Sequence, residues 1–205
     1  EDRLRFAPYP SVVDYDKMWH PAWVEPFREI DNKTGFYLGA HWRYLQKAQV
    51  RFYRYDNNAN PLAVDDDRIY AWHTKFDSLA LQYRFTPDSR LIAQWMDGTT
   101  EMGANHAVYV AFDSWYVMAS HSFNQHRLSL RFDKWKVEEM DYVPEDYNDS
   151  DGDSWTAAWR MDFNDNWEFG VEYHYNENWA KNRYSLGIKP TQKQIQWMMV
   201  AQYKF

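Results

Sequence analysis

The chain has 205 residues, 45% hydrophobic and 26% charged, with a formal net charge of −7 and no cysteine. The negative balance argues against a nucleic-acid partner, and the absence of thiols removes disulfides and thiolate metal sites. Aromatic residues make up 20% of the chain, with 12 Trp, 16 Tyr and 12 Phe, yet mean hydropathy is −0.82 and no stretch approaches the roughly 20 apolar residues of a membrane helix. A chain of this kind can enter a bilayer only as a closed β-barrel, because lipid cannot satisfy the backbone groups of an open sheet or loop.

The opening EDRLRFAPYP has no apolar signal-peptide core, which is expected of a processed chain or a fragment. Pro8, Pro10, Pro21 and Pro26 follow, and proline removes ladder hydrogen bonds. Residues 1–33 are therefore expected to be a lead-in segment or loop, and residues 34–205 a transmembrane β-barrel.

From Phe36 the pattern changes. Phe36, Leu38, Ala40, Trp42 and Tyr44 alternate with Tyr37, Gly39, His41 and Arg43. A short turn near Gln46 leads to Ala48, Val50 and Phe52, which alternate with Gln49, Arg51 and Tyr53. After a polar loop, Leu79, Leu81, Tyr83 and Phe85 oppose Ser78, Gln82 and Arg84. Thr86 to Ser89 has the Pro and Asp chemistry of a tight turn. Leu91, Ala93 and Trp95 follow, then the DGTTEMGAN loop, then a long strand of mixed faces from about Ala107 to Phe123. Asn124 to His126 turns into Leu128, Leu130 and Phe132, set against Arg127, Ser129 and Arg131.

The clearest hairpin runs from Trp155 to Tyr175. Trp155, Ala157, Trp159, Met161 and Phe163 lead into the turn Asn164 to Asn166, and Trp167, Phe169, Val171, Tyr173 and Tyr175 lead out. Arg160, Asp162, Glu168, Glu172 and His174 hold the opposite phase. Strict alternation over this length is a strand period. On the pairing set by Asp165, Arg160 faces Gly170 and lies diagonal to Glu168 and Glu172, within reach of both.

Long loops are expected near residues 56–68, 97–106, 139–153 and 177–193, with short turns at the other end. That asymmetry is the pattern of extracellular loops and periplasmic turns in outer-membrane barrels. Nine strands can be counted, and the first and last run the same way, so at least one strand is expected to be missing. The chain then reads as the C-terminal part of a larger barrel, unless a strand hides near Tyr184 to Ile188. The last strand, QIQWMMVAQYKF, puts Ile195, Trp197, Met199, Ala201, Tyr203 and Phe205 on one face. Its Y-x-F ending resembles the recognition signal read by the barrel assembly machinery, with Trp197, Tyr203 and Phe205 as the signal residues.

The runs PFREID, IYAWHTKFDSLALQY, LIAQWMDGTTEMG and FDSWYVMASHSF resemble a largely uncharacterised family of porin-like outer-membrane proteins of Gram-negative bacteria. The resemblance covers Pro26 to Phe205 and implies an antiparallel up-and-down barrel in the outer membrane, in contact with lipid and lipopolysaccharide. It brings no catalytic or ligand residues.

The polar phase supplies the candidate lumen: Arg43, Arg51, Arg84, Arg127, Arg131, Arg160, Glu168 and Glu172. The expected function is passive diffusion of small polar solutes, with no cofactor, no metal and no catalysis. A nonconducting structural or envelope-interaction barrel is the alternative, and a soluble, sugar-binding β-sandwich a more distant one. Ser120, His121, Ser122 and His126 have no diagnostic catalytic spacing. The DYNDSDGDS loop offers carboxylates at Asp149, Asp151 and Asp153, but Arg160 stands where a calcium loop needs its bidentate glutamate.

Overall fold

Each segment with period-two alternation becomes a strand in the computed structural model, which describes residues 4–5, 23–24, 28–66, 69–144 and 147–205. Most of the proline-bearing lead-in lies outside the described residues. Two of its described pieces, β1 (Leu4–Arg5) and β2 (Trp23–Val24), pair with each other. The main sheet has nine strands: β3 (Phe36–Tyr44), β4 (Ala48–Asp56), β5 (His73–Arg84), β6 (Ser89–Met102), β7 (Val108–Phe123), β8 (His126–Glu139), β9 (Ser150–Asp162), β10 (Trp167–Ala180) and β11 (Thr191–Tyr203). They lie side by side in chain order, each antiparallel to the next. The fold is all-β, antiparallel and up-and-down, as the sequence indicates.

The short turns fall where their chemistry places them. Asn164 Oδ1 accepts from the backbone N–H groups of Asn166 and Trp167, both at 2.9 Å, an Asx-type closure of the β9–β10 hairpin. Lys47 N–H donates to Tyr44 O at 3.1 Å, and Ser89 N–H to Thr86 O at 3.3 Å. Leu45 and Asn124 both have φ of 50°, unusual for a bulky residue such as Leu45 and easier for Asn.

Three of the four long loops are shorter than the sequence suggests, while the first is longer and spans residues 57–72. DGTTEM is strand through Met102, pairing Thr99 with Ala111 and Glu101 with Tyr109, so only residues 103–107 connect β6 to β7. Residues 177–180 belong to β10, and Asp151 and Asp153 belong to β9 rather than to a calcium-type loop. Polar residues on both faces read as loop, yet a strand that stands clear of lipid can be polar on both faces because water satisfies it. Tyr184 to Ile188 is no extra strand: a 3₁₀ turn at Lys181–Arg183 leads into further turns. There the Arg183 guanidinium donates to Pro190 O at 2.7 Å and Asn178 O at 3.2 Å.

Burial is inverted relative to a water-soluble domain. Among the described residues the buried apolar class contains Ala71, while Ser78, Ser120, Asp141 and Ser154 are buried polar residues. Leu79, Leu130 and Trp155 are 46%, 50% and 45% exposed. The register places the large apolar side chains on one face: Trp159 opposite Val171, Val171 opposite Met199, Phe169 opposite Ala201. Ser78, Ser120, Ser154 and Gly170 lie on the other. Among the described residues the other sheet is the two-residue β1–β2 pair, too small to cover the apolar face as the second layer of a sandwich would.

The apolar face ends sharply. Trp115, Phe132 and Trp155 meet in sequence with tilted rings, their centroids 5.4 and 4.8 Å apart. In the next row toward the long loops, Arg54, Asp77, Asp97, Asp113, Lys136 and Asp151 follow one another across β4 to β9 on the same face. Below these rings the apolar residues continue to Phe163. That distance is about 27 Å along the strand, or about 21 Å at a tilt near 40°, close to the roughly 25 Å apolar band of an outer-membrane barrel.

Candidate functional site

The face opposite the apolar band carries the side chains able to do chemistry in water. Register places Arg43, Arg51, Arg84, Arg127, Arg131, Arg160, Glu168 and Glu172 all on it. They do not form one cluster. They divide into a neutralised group on β8 to β10 and an uncompensated group on β3 to β6.

The neutralised group centres on Glu168. Arg127 Nη2 lies 3.8 Å from Glu168 Oε1, Arg160 Nε 4.0 Å from the same oxygen, and Lys204 Nζ 3.7 Å from Oε2. Arg160 Nη2 also reaches Glu172 Oε2 at 3.7 Å. Arg160 therefore sits between the two glutamates diagonal to it, as the hairpin register requires. Gly170 makes this possible: a Cβ there would collide with the Arg160 guanidinium and Cδ. One strand away, Arg131 Nε donates to Asp133 Oδ1 at 2.7 Å and its guanidinium lies 3.9 Å from the Tyr116 ring centroid. Arg127 stands directly opposite Arg160, so the acids offset a like-charge pair that would otherwise be destabilising.

The uncompensated group is different. Arg43, Arg51, Arg84 and Arg90 have no carboxylate within ion-pair distance among the described residues. Arg84 faces Arg90 directly across β5 and β6. A 390 Å³ cavity at the short-turn end is lined by Arg43, Lys47, Gln49, Gln82 and Arg84. A second, of 340 Å³, is lined by Arg90, Arg127, Arg131, Arg160 and Glu172 among others. Sequence reasoning missed Arg90. Its phase is visible in principle, but Ile92 and Met96 share its face and break the polar alternation.

The serine and histidine candidates separate. Ser120 and Ser122 lie on the polar face, and His121 and His126 on the apolar face. Ser120 Oγ accepts from Ser129 Oγ at 3.0 Å, whereas His121 Nδ1 lies 2.9 Å from Ser89 Oγ and His126 Nδ1 accepts from Trp159 Nε1 at 3.3 Å.

At the long-loop end a carboxylate–imidazole chain joins three strands and a loop. His73 bridges Asp56 at 3.0 Å and Glu101 at 3.1 Å, and Glu101 reaches His106 at 2.8 Å. Two loop carboxylates anchor the next connection. The backbone N–H of Glu139 lowers the pKa of Asp149 below the usual range, against the effect of burial and with help from Lys181 Nζ at 3.1 Å. Burial pushes Asp141 up, but the backbone N–H groups of Tyr109 and Val143 outweigh it and hold the carboxyl low. Trp197 and Tyr203 of the expected assembly signal lie on the apolar face, with Tyr203 6.5 Å from Phe205 between ring centroids.

No protein-family model matches the chain, and no curated protein matches it. Among solved structures, LpxR from Salmonella typhimurium is similar at 12% identity and a TM-score of 0.37, over 82% of this chain and 77% of that one. The porin-like family resemblance read from the sequence has no counterpart in these comparisons. The expectation that the chain is not an enzyme is not upheld by these comparisons and is withdrawn.

Proposed function

We propose that the nine strands form wall of a β-barrel in the bacterial outer membrane, with the polar face lining a water-filled lumen that passes small polar solutes. The observation that carries this reading is the inverted burial: Leu79, Leu130 and Trp155 face outward while Ser78, Ser120 and Ser154 are buried. Only a lipid surround removes the cost of so much exposed apolar area. The charged row directly beyond Trp115 and Trp155 supports the same placement, because it begins where the lipid would end. The mixture of paired and unpaired arginines supports a lumen that is hydrated rather than packed.

Closure needs strands beyond these nine. Among the described residues β3 pairs with β4 alone and β11 with β10 alone, and both edges run toward the short turns. Antiparallel closure therefore requires an odd number of additional strands between them. A second copy in the same orientation cannot provide the seam, because each of its edges also runs that way.

Two measurements test the reading. Full-length protein folded in detergent should migrate differently on a gel before and after boiling, and should give stepwise conductance in planar bilayers. Protein that purifies without detergent and shows no heat-dependent mobility would sink the membrane placement. A heat-modifiable barrel that never conducts would leave the placement and remove the diffusion function. For the seam, the absence of native cysteine gives a clean background. A cysteine at Ala40 combined with single cysteines along β11 should form no disulfide, and a high-yield disulfide at any position would establish direct β3–β11 pairing instead.

A further inference from the structure

We propose that the short-turn end of the inner face holds a small oxyanion, a phosphate or carboxylate group, in the pocket formed by Arg43, Lys47 and Arg84 with Gln49 and Gln82. The inference rests on the reading of this face as a lumen open to water.

Four observations carry it. First, the pocket is a built space of 390 Å³, room for several waters or one small anion. Second, three cations converge there and none has an ion-pair partner among the described residues, nor does any carboxylate line the pocket. Third, Arg84 stands directly opposite Arg90, also unpaired. Like charges set face to face destabilise a sheet, and an anion held against Arg84 would reduce that effect. Fourth, the same sheet neutralises Arg127, Arg131 and Arg160 with carboxylates on adjoining positions. The bare arginines are thus confined to one region of the wall.

The pocket is also ordered for the task. Arg43 is opposite Gln49, and Gln49 is opposite Gln82, so the two amides and the Arg43 guanidinium lie in one row across β3, β4 and β5. Lys47 is fixed by its backbone: its N–H donates to Tyr44 O at 3.1 Å and its carbonyl accepts from Arg84 N–H at 2.7 Å. Guanidinium groups bind oxyanions through paired N–H donors, the ammonium adds a compact charge, and the amide N–H groups complete the set. At this mouth the oxyanion could belong to a free solute or to a lipid headgroup; the recognising chemistry is the same for both.

The test is calorimetric titration of inorganic phosphate into the full chain folded in zwitterionic detergent, at about 20 mM ionic strength so that screening is weak. Saturable binding is expected, and Arg43→Gln together with Arg84→Gln should weaken it by roughly tenfold or more, since two charge-assisted contacts are lost. Lys136→Gln, on the outer face, should leave it unchanged. Repeating the titration in vesicles of phosphatidylcholine and of phosphatidylglycerol separates the sources. Weakened phosphate binding in phosphatidylglycerol identifies a headgroup as the natural occupant, and equal binding identifies a free solute. Heat-modifiable protein that binds no phosphate, or a double variant that binds as tightly as wild type, overturns the site while leaving the lumen reading intact. A chain that is soluble without detergent overturns the lumen reading itself.

Discussion

On β8 to β10 the polar-face arginines lie against Asp133, Glu168 and Glu172; on β3 to β6 Arg43, Arg51, Arg84 and Arg90 have no carboxylate within ion-pair distance among the described residues. Both regions belong to one sheet, have the same strand period and present the same polar phase. The difference lies in what each strand brings to its neighbour. Strand β10 carries two glutamates diagonal to Arg160 with a glycine between them, so the long side chain lies flat along the wall. Strands β4 and β5 bring glutamine and alanine opposite their neighbours' arginines. A charge held by the wall stabilises it, whereas a charge left free is available to whatever passes.

The largest expected effect that tests this contrast is on stability. Glu168→Ala removes the carboxylate shared by Arg127, Arg160 and Lys204 and leaves two arginines face to face. It should cost about 1–3 kcal/mol, the range for stranding partly buried charged groups. Arg84→Ala, which breaks no pair, should be neutral or slightly stabilising. Denaturant midpoints in detergent would measure both, and equal losses would erase the distinction between the two regions.

A smaller effect is expected from coupling within the paired region. A double-mutant cycle on Arg160→Ala and Glu172→Ala should give about 0.5–1 kcal/mol, modest because the separation of 3.7 Å is long and the side chains are partly solvated. A coupling of zero would mean that Glu168 alone holds Arg160. Gly170→Val should reproduce much of the Arg160→Ala phenotype, because it occupies the space in which the guanidinium rests.

Selectivity should respond in the opposite region. If the protein conducts, Arg51→Glu with Arg84→Glu should shift the reversal potential in a salt gradient toward cations, because charges in a lining tune selectivity. Arg160→Ala should alter melting more than reversal potential. The reverse outcome would show that the paired region governs passage.

The smallest effect concerns the loop above the paired region. The Asp149 pKa is lowered in the folded chain. Its contribution is therefore fully present above the ordinary carboxylate value and is lost as pH falls through the lowered folded one. Proteolytic nicking within residues 140–149 should rise below about pH 4, and Asp149→Asn should raise it already at neutral pH.

Much of this molecule follows from its sequence alone. Nine strands, their two faces, the turns at Asn164 and Thr86 and the position of Arg160 between two glutamates are all legible, because period-two alternation and turn chemistry act over a few residues and the tight hairpin at Asp165 sets its own register. The sequence misleads where a local signal has two physical meanings. DGTTEM and Asp151 to Asp153 look like loops, yet form strand, because polarity on both faces marks a strand in water as readily as a turn. Ser120 and His121 look adjacent in sequence, yet the same alternation sends them to opposite faces. The pairing of Arg84 with Arg90 and the sharing of Glu168 by three cations required the tertiary structure. Each depends on which residues of separate strands come to lie opposite one another, and no single strand carries that information.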